Sequence, residues 1–122
     1  MIHKDMEVYK ASMLLVKEIY RITATFPKAE IYGLSSQMRR AAVSVPSNIA
    51  EGCARKSQKE LLQFLSIAQG SLAELDTQIE ISLMLDFVDY QTASAELGVL
   101  LQKTRQLLMG FIRSVHSKLD KI

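Results

Sequence analysis

RRAAVSVPSNIAEG, from Arg39 to Gly52, places a proline inside a run that otherwise reads as one helix. Pro46 has no N–H to donate and its ring crowds the carbonyl of Ala42, so an interior proline costs a helix roughly 3 kcal/mol. Ser44, Ser47 and Asn48 flank it with short polar side chains able to bond the backbone groups it leaves unpaired, which predicts a kinked but satisfied helix. Upstream, Ser35 or Ser36 reads as the N-cap, and the helix is expected to run to about Lys56. Leu34, Met38, Ala41, Val45 and Asn48 alternate by four and three, which puts Asn48 on the core seam. A lone polar residue there suits fixing register better than binding a ligand.

Working outward, helical periodicity covers three more segments. The first spans about Asp5 to Thr25, with Tyr9, Met13, Val16 and Tyr20 on one stripe, Val8, Leu15, Ile19 and Ile22 beside it, and Lys10, Lys17 and Arg21 opposite. Phe26-Pro27 breaks it, because the residue before a proline is pushed out of helical geometry. Ser57-Gln58-Lys59-Glu60 matches a capping box and opens a third helix to about Leu85, with Leu61, Leu65, Ala68, Leu72, Leu75 and Ile79 on its seam. Within it, Gly70-Ser71 predicts a close helix approach. Asp86 to Asp89 forms the last turn, and Asp89 caps a fourth helix carrying Leu97, Leu101, Thr104, Leu108, Phe111 and Val115. Four long helices with short links predict an all-α fold: an antiparallel up-down-up-down four-helix bundle with a proline-kinked second helix, one domain over residues 1–122. Val8, Leu15, Ile19, Phe64 and Ile67 lie off the main seams, a surplus of apolar surface that points to self-association.

Composition bounds the function. The 122-residue chain is 48% hydrophobic and 23% charged, the balance of a globular domain, and its net charge of +2 announces no nucleic-acid binder by itself. The charge is uneven. Between Gly33 and Glu60 five basic residues (Arg39, Arg40, Arg55, Lys56, Lys59) face two acidic ones (Glu51, Glu60), a local net of +3. Cys53 is the single cysteine. It permits neither an internal disulfide nor a multi-cysteine zinc site, and it suits a reducing cytoplasm. No stretch reads as a signal peptide or membrane span.

The segments YGLSSQMRRAAVSVPSNIAEG (Tyr32 to Gly52) and SQKELLQFLSIAQGSLAELDTQI (Ser57 to Ile79), followed by a hydrophobic fourth helix, resemble the bacterial four-helix bundle proteins known as 23S ribosomal RNA intervening-sequence proteins, or S23 ribosomal proteins. The resemblance implies an antiparallel bundle that assembles into a homopentamer with a central channel. The chain is also similar to the accessory proteins of diversity-generating retroelements, which share that assembly and are thought to bind nucleic acid and a reverse transcriptase.

Arg39 and Arg40 are the first candidates for phosphate contact, because arginine's planar fork suits phosphate and a ring of copies would multiply a small local charge. Arg55, Lys56 and Lys59, at the next helix junction, form the second group. Ion pairs explain the same residues: Glu51 shares the face of Arg40, and Glu60 adjoins Lys59. Tyr9, Tyr20, Phe64 and Phe111 read as core, whereas Tyr32 lies in a loop and is open to base stacking. Enzymatic readings fare worse. His3 and His116 lie at opposite ends, Glu74, Asp76 and Glu80 read as a solvated face because Glu74 and Glu80, six apart, face differently, and Cys53 reads as packed and inert, although Arg55 beside it would lower its pKa. No catalytic, cofactor or metal site is expected. The expectation is a cytoplasmic, non-enzymatic homo-oligomeric scaffold, a pentamer, with RNA or DNA as favoured ligand. The competing expectation is an adaptor that engages a partner protein and never touches nucleic acid.

Overall fold

A computed structural model describes residues 2–120. Four long helices account for most of them: α1 (Glu7–Thr23), α2 (Leu34–Cys53), α3 (Gln58–Met84) and α4 (Gly98–Asp120). No strand occurs among the described residues. Consecutive helices pack on one another and α4 packs back on α1, closing a four-helix bundle around one apolar core. Contacts between α2 and α3 run in opposite order along the two helices: Gly52 meets Leu61, Ser44 meets Ser71, and Met38 meets Ser82.

α2 runs unbroken across Pro46, whose ring is buried. Asn48 Nδ2 donates to the carbonyl of Ser44 (2.7 Å) and to its hydroxyl (2.9 Å), and Ser71 Oγ of α3 donates to that same hydroxyl (2.8 Å). Asn48 itself is half-buried, and fully buried Ile49 holds the seam instead. At 3.6 residues per turn a strict heptad drifts about 20° per repeat, so the buried line passes from the position of Asn48 to its neighbour. The polar link across α2 and α3 is therefore Ser44 to Ser71, with Asn48 bracing it.

On α1 the core stripe is Val8, Ala11, Ser12, Leu15, Ile19 and Ile22, while Met13 (47% exposed) and Tyr20 (44%) lie on the outside and Tyr9 and Val16 are half-buried. Small Ala11 and Ser12 complete the Val8–Ile22 line and let α1 sit close to its neighbours. Val8, Leu15 and Ile19 are thus core and not surplus. Apolar residues left outside on the long helices include Met13, Leu14, Val43, Ile67, Val99 and Met109.

Of Gly70-Ser71, where a close approach is expected, Ser71 meets Ser44 of α2 but Gly70 faces no helix. A methyl added at Gly70 meets nothing within 4 Å, so no helix approaches it; the close approach is at Gly52, where a Cβ would lie 2.9 Å from Leu61 Cδ1 and 3.0 Å from Phe64 Cβ. Helix ends also differ from expectation. Gly33, with no side-chain cap, precedes α2, and Glu30 Oε1 accepts the Leu34 N–H (3.1 Å), so an acidic side chain from the preceding turn replaces the expected serine cap. Ser57 Oγ accepts the Glu60 N–H (3.3 Å) and starts α3, which is one half of the expected capping box; the return bond from the Ser57 N–H to the Glu60 carboxylate is not made among the described residues. α3 stops in a Schellman turn: Phe87 N–H bonds Ser82 O (2.9 Å), Asp86 N–H bonds Leu83 O (3.1 Å), and Asp86 takes φ 61°. Asp89 caps the following segment by accepting the Thr92 N–H (2.7 Å). Instead of one continuous helix, a single α-turn (Tyr90–Thr92) and a π-helical turn (Ala93–Leu97) lead into α4. Leu97 at the end of the π-helical turn and Leu101, Thr104, Leu108 and Val115 along α4 are buried, and Phe111 is half-buried at the edge.

Candidate nucleic-acid interface

Two adjacent arginines in the first half of α2 meet different fates. Successive helical residues project about 100° apart, so Arg39 leans on α1 while Arg40 faces outward. Arg39 Nε donates to Thr23 Oγ1 (2.9 Å), and its guanidinium carbon lies 4.5 Å from the centre of the Tyr20 ring. Thr23 Oγ1 in turn donates to Ile19 O (2.6 Å), so the guanidinium closes a chain of bonds that ends in the backbone of α1. Arg40 is exposed and makes no hydrogen bond or ion pair with the described residues. It forms the shared wall of two clefts. One lies toward α1 and holds Tyr20, Ile31, Ser36, Arg39, Val43 and Ser44. The other lies toward α3 and holds Gln37, Glu74, Thr77 and Gln78. Tyr32, in the turn before α2, is 96% exposed, which leaves its ring available for stacking.

The second basic group lies apart. Arg55 follows Arg40 by fifteen residues, roughly 22 Å of helical rise. Its Nη2 bonds Glu51 Oε1 at 2.6 Å, and its guanidinium carbon sits 4.9 Å from the centre of the Phe64 ring. Glu51 therefore pairs with Arg55 and not with Arg40. Lys56 and Lys59 are exposed, with no ion pair among the described residues. Within one chain the candidates form two sites. Among the described residues, the cations left without a partner are Arg40 at the first, and Lys56 and Lys59 at the second.

Some of the other charged groups are paired within the chain. Asp76 Oδ2 takes Arg105 Nη2 at 3.1 Å, and Glu18 takes Arg21 at 2.7 Å. The hydrogen bond from Arg21 holds the Glu18 carboxyl below its ordinary pKa, and the Thr92 N–H does the same for Asp89. Burial pushes the Cys53 thiol up, not down as Arg55 beside it suggests, which makes it a weaker nucleophile. Among the described residues no three His, Cys, Asp or Glu side chains gather as a metal site. No helix of the described residues is long and apolar enough to cross a membrane.

The profile of the 23S rRNA-intervening sequence proteins matches residues 4–110. The chain belongs to that family. No curated protein has a sequence that matches significantly. Within this 23S rRNA-intervening sequence protein the matched span takes in α1 to α3 and reaches Gly110 in α4, so it includes both basic sites. Two features of the surface had no sequence signal. Gln78 reads as an ordinary polar position of a helix, yet it is 6% exposed and its Oε1 has no hydrogen-bond partner among the described residues. Leu14, Val99 and Leu100, which belong to no seam read from the sequence, line an open groove between α1 and α4, rimmed by Lys17, Glu18, Glu96 and Lys103.

Proposed function

We propose that this protein is a cytoplasmic, non-enzymatic scaffold: an up-down-up-down bundle, bent at Pro46, that assembles into a homopentamer and holds RNA or DNA against α2. The observation that carries the reading is Arg40, an arginine with no internal partner among the described residues, standing between two clefts, one of them lined by Tyr20 and Arg39. A guanidinium so placed can give its whole fork to phosphate. Lys56 and Lys59 would supply a second contact along the strand, and assembly would repeat both around the ring. Met13, Leu14 and Val99, apolar and outside the core, supply the surface for assembly.

The test is purification at low salt, sequencing of any retained nucleic acid, and a salt titration of its binding. Binding through phosphate weakens log-linearly with salt, and Arg40→Ala reduces the slope by about one for each phosphate that the arginine neutralises. Arg39 is the wrong residue to mutate, because it also braces α1. Light scattering of the native protein measures the assembly. A flat salt response, or no retained nucleic acid, overturns the nucleic-acid reading and favours the adaptor, which the apolar α1–α4 groove at Leu14, Val99 and Leu100 would serve.

A further inference from the structure

The cleft between α2 and α3 is chemically unlike its neighbour across Arg40. It measures about 580 Å³, room for one nucleobase, and its walls carry Gln37, Arg40, Glu74, Thr77 and Gln78. Glu74 makes no ion pair with the described residues. Gln78 is 6% exposed and its Oε1 accepts no hydrogen bond from them. A buried acceptor without a donor is costly unless a ligand or water supplies one. The terminal amide torsion of glutamine is soft, so the amide can turn to offer either of its ends to the cleft. The cleft thus offers a cationic fork on one side and the Glu74 carboxylate on the other, with the buried Gln78 oxygen brought to it by a turn of the amide.

We propose that this cleft takes a guanine base from a single strand lying across α2; the proposal rests on the nucleic-acid reading above. Guanine is the base whose Watson–Crick edge carries two adjacent donors, N1–H and the N2 amino group, which a carboxylate accepts together, while its O6 and N7 accept from an arginine. Adenine turns a lone pair toward the carboxylate at N1, and uracil has one N–H between two carbonyls. Glu74 and Gln78 take the donors of guanine, and Arg40 takes O6 and N7 or the flanking phosphate. Tyr20, in the cleft on the far side of Arg40, is placed to stack on a neighbouring base.

The experiment measures fluorescence anisotropy of the intact protein with short oligouridylates, ribo and deoxy, bearing one central guanosine, inosine, adenosine or uridine. Guanosine is expected to bind roughly tenfold tighter than adenosine or uridine, and inosine, which lacks the N2 amino group, to fall between. Glu74→Gln should abolish the guanosine preference without weakening the uridine oligonucleotide, whereas Arg40→Ala should weaken every oligonucleotide. Gln78→Met, which keeps the side chain's length and removes the orphan acceptor, should reduce the preference without loss of fold. Equal affinity for all four bases, or inosine bound as tightly as guanosine, overturns the proposal and leaves the nucleic-acid reading standing. No binding to any of them overturns both.

Discussion

Two glycines in helical conformation should respond with opposite sign to the same substitution. Gly70 lies in the middle of α3 with nothing within 4 Å of an added methyl, so Gly70→Ala adds helix propensity and no clash. That contributes about 1 kcal/mol. Unfolding entropy near 2.1 cal/mol/K per residue over 122 residues turns this into about 4 °C in Tm. Gly52→Ala has the same propensity gain, but its methyl would lie 2.9 Å from Leu61 Cδ1, 3.0 Å from Phe64 Cβ and 3.3 Å from Leu61 O. The first of these can rotate away. The other two are fixed to the backbone of α3, so the helices must separate by several tenths of an ångström, at a cost of about 1–3 kcal/mol for overpacking. The net effect is a loss of about 1 kcal/mol, and the two variants should differ by about 8 °C. Urea titration with an unchanged m-value is the assay. A Gly70→Ala less stable than the parent, or a Gly52→Ala at least as stable, would refute the assignment of the close approach to Gly52.

Three other outcomes follow from the geometry. Asp86 closes the α3 Schellman turn at φ 61°, so Asp86→Gly should stabilise the protein by roughly 0.5–1 kcal/mol, read as a shift in urea midpoint. Arg39→Lys loses the fork that both bonds Thr23 and stacks on Tyr20 and should cost about 1 kcal/mol, while Arg40→Lys stays within about 0.5 kcal/mol of the parent. Asp89 is held below its ordinary pKa by the Thr92 N–H, and Glu18 by Arg21. Their stabilising contribution is therefore complete above the unfolded carboxylate value near 4 and is lost as pH falls through the lower folded values. Between neutral pH and about pH 3 the urea midpoint should fall, and less so in Asp89→Asn, which keeps a cap that does not titrate.

The helix count, the core seam of α3 and the Ser57 and Asp89 caps were legible in the sequence because each is a local pattern. Local pattern failed where two local signals competed or where the answer lay in another element. On α1 the bulky stripe of Tyr9, Met13 and Tyr20 outweighed a line completed by small Ala11 and Ser12, and small side chains carry little hydropathy even where close packing needs them. Gly70 and Gly52 are both glycines within helices, and only the position of α3 tells which one is needed for packing. At the start of α2 two serines offered an ordinary cap, but Glu30, on the turn before, takes the Leu34 N–H.

The same limit governs the candidate site. Arg39 and Arg40 are one residue apart and identical in kind, so sequence gives them one role; the helix separates them by about 100°, and α1 decides the rest. Tyr20 and Thr23 bind the first at a sequence distance that no motif encodes, while the second finds no partner among the described residues. Glu51 likewise passes over Arg40 for Arg55, one helical turn on, because pairs four apart on a helix meet and pairs eleven apart do not. The charge that an assembly would multiply at this face is therefore one unpaired arginine per protomer, with the other arginine held as part of the wall. A site with a single such guanidinium gains little from net charge alone, and its discrimination must come from the neutral and acidic groups around it. The groups beside Arg40 in the α2–α3 cleft are Glu74 and Gln78, whose Oε1 has no hydrogen-bond partner among the described residues.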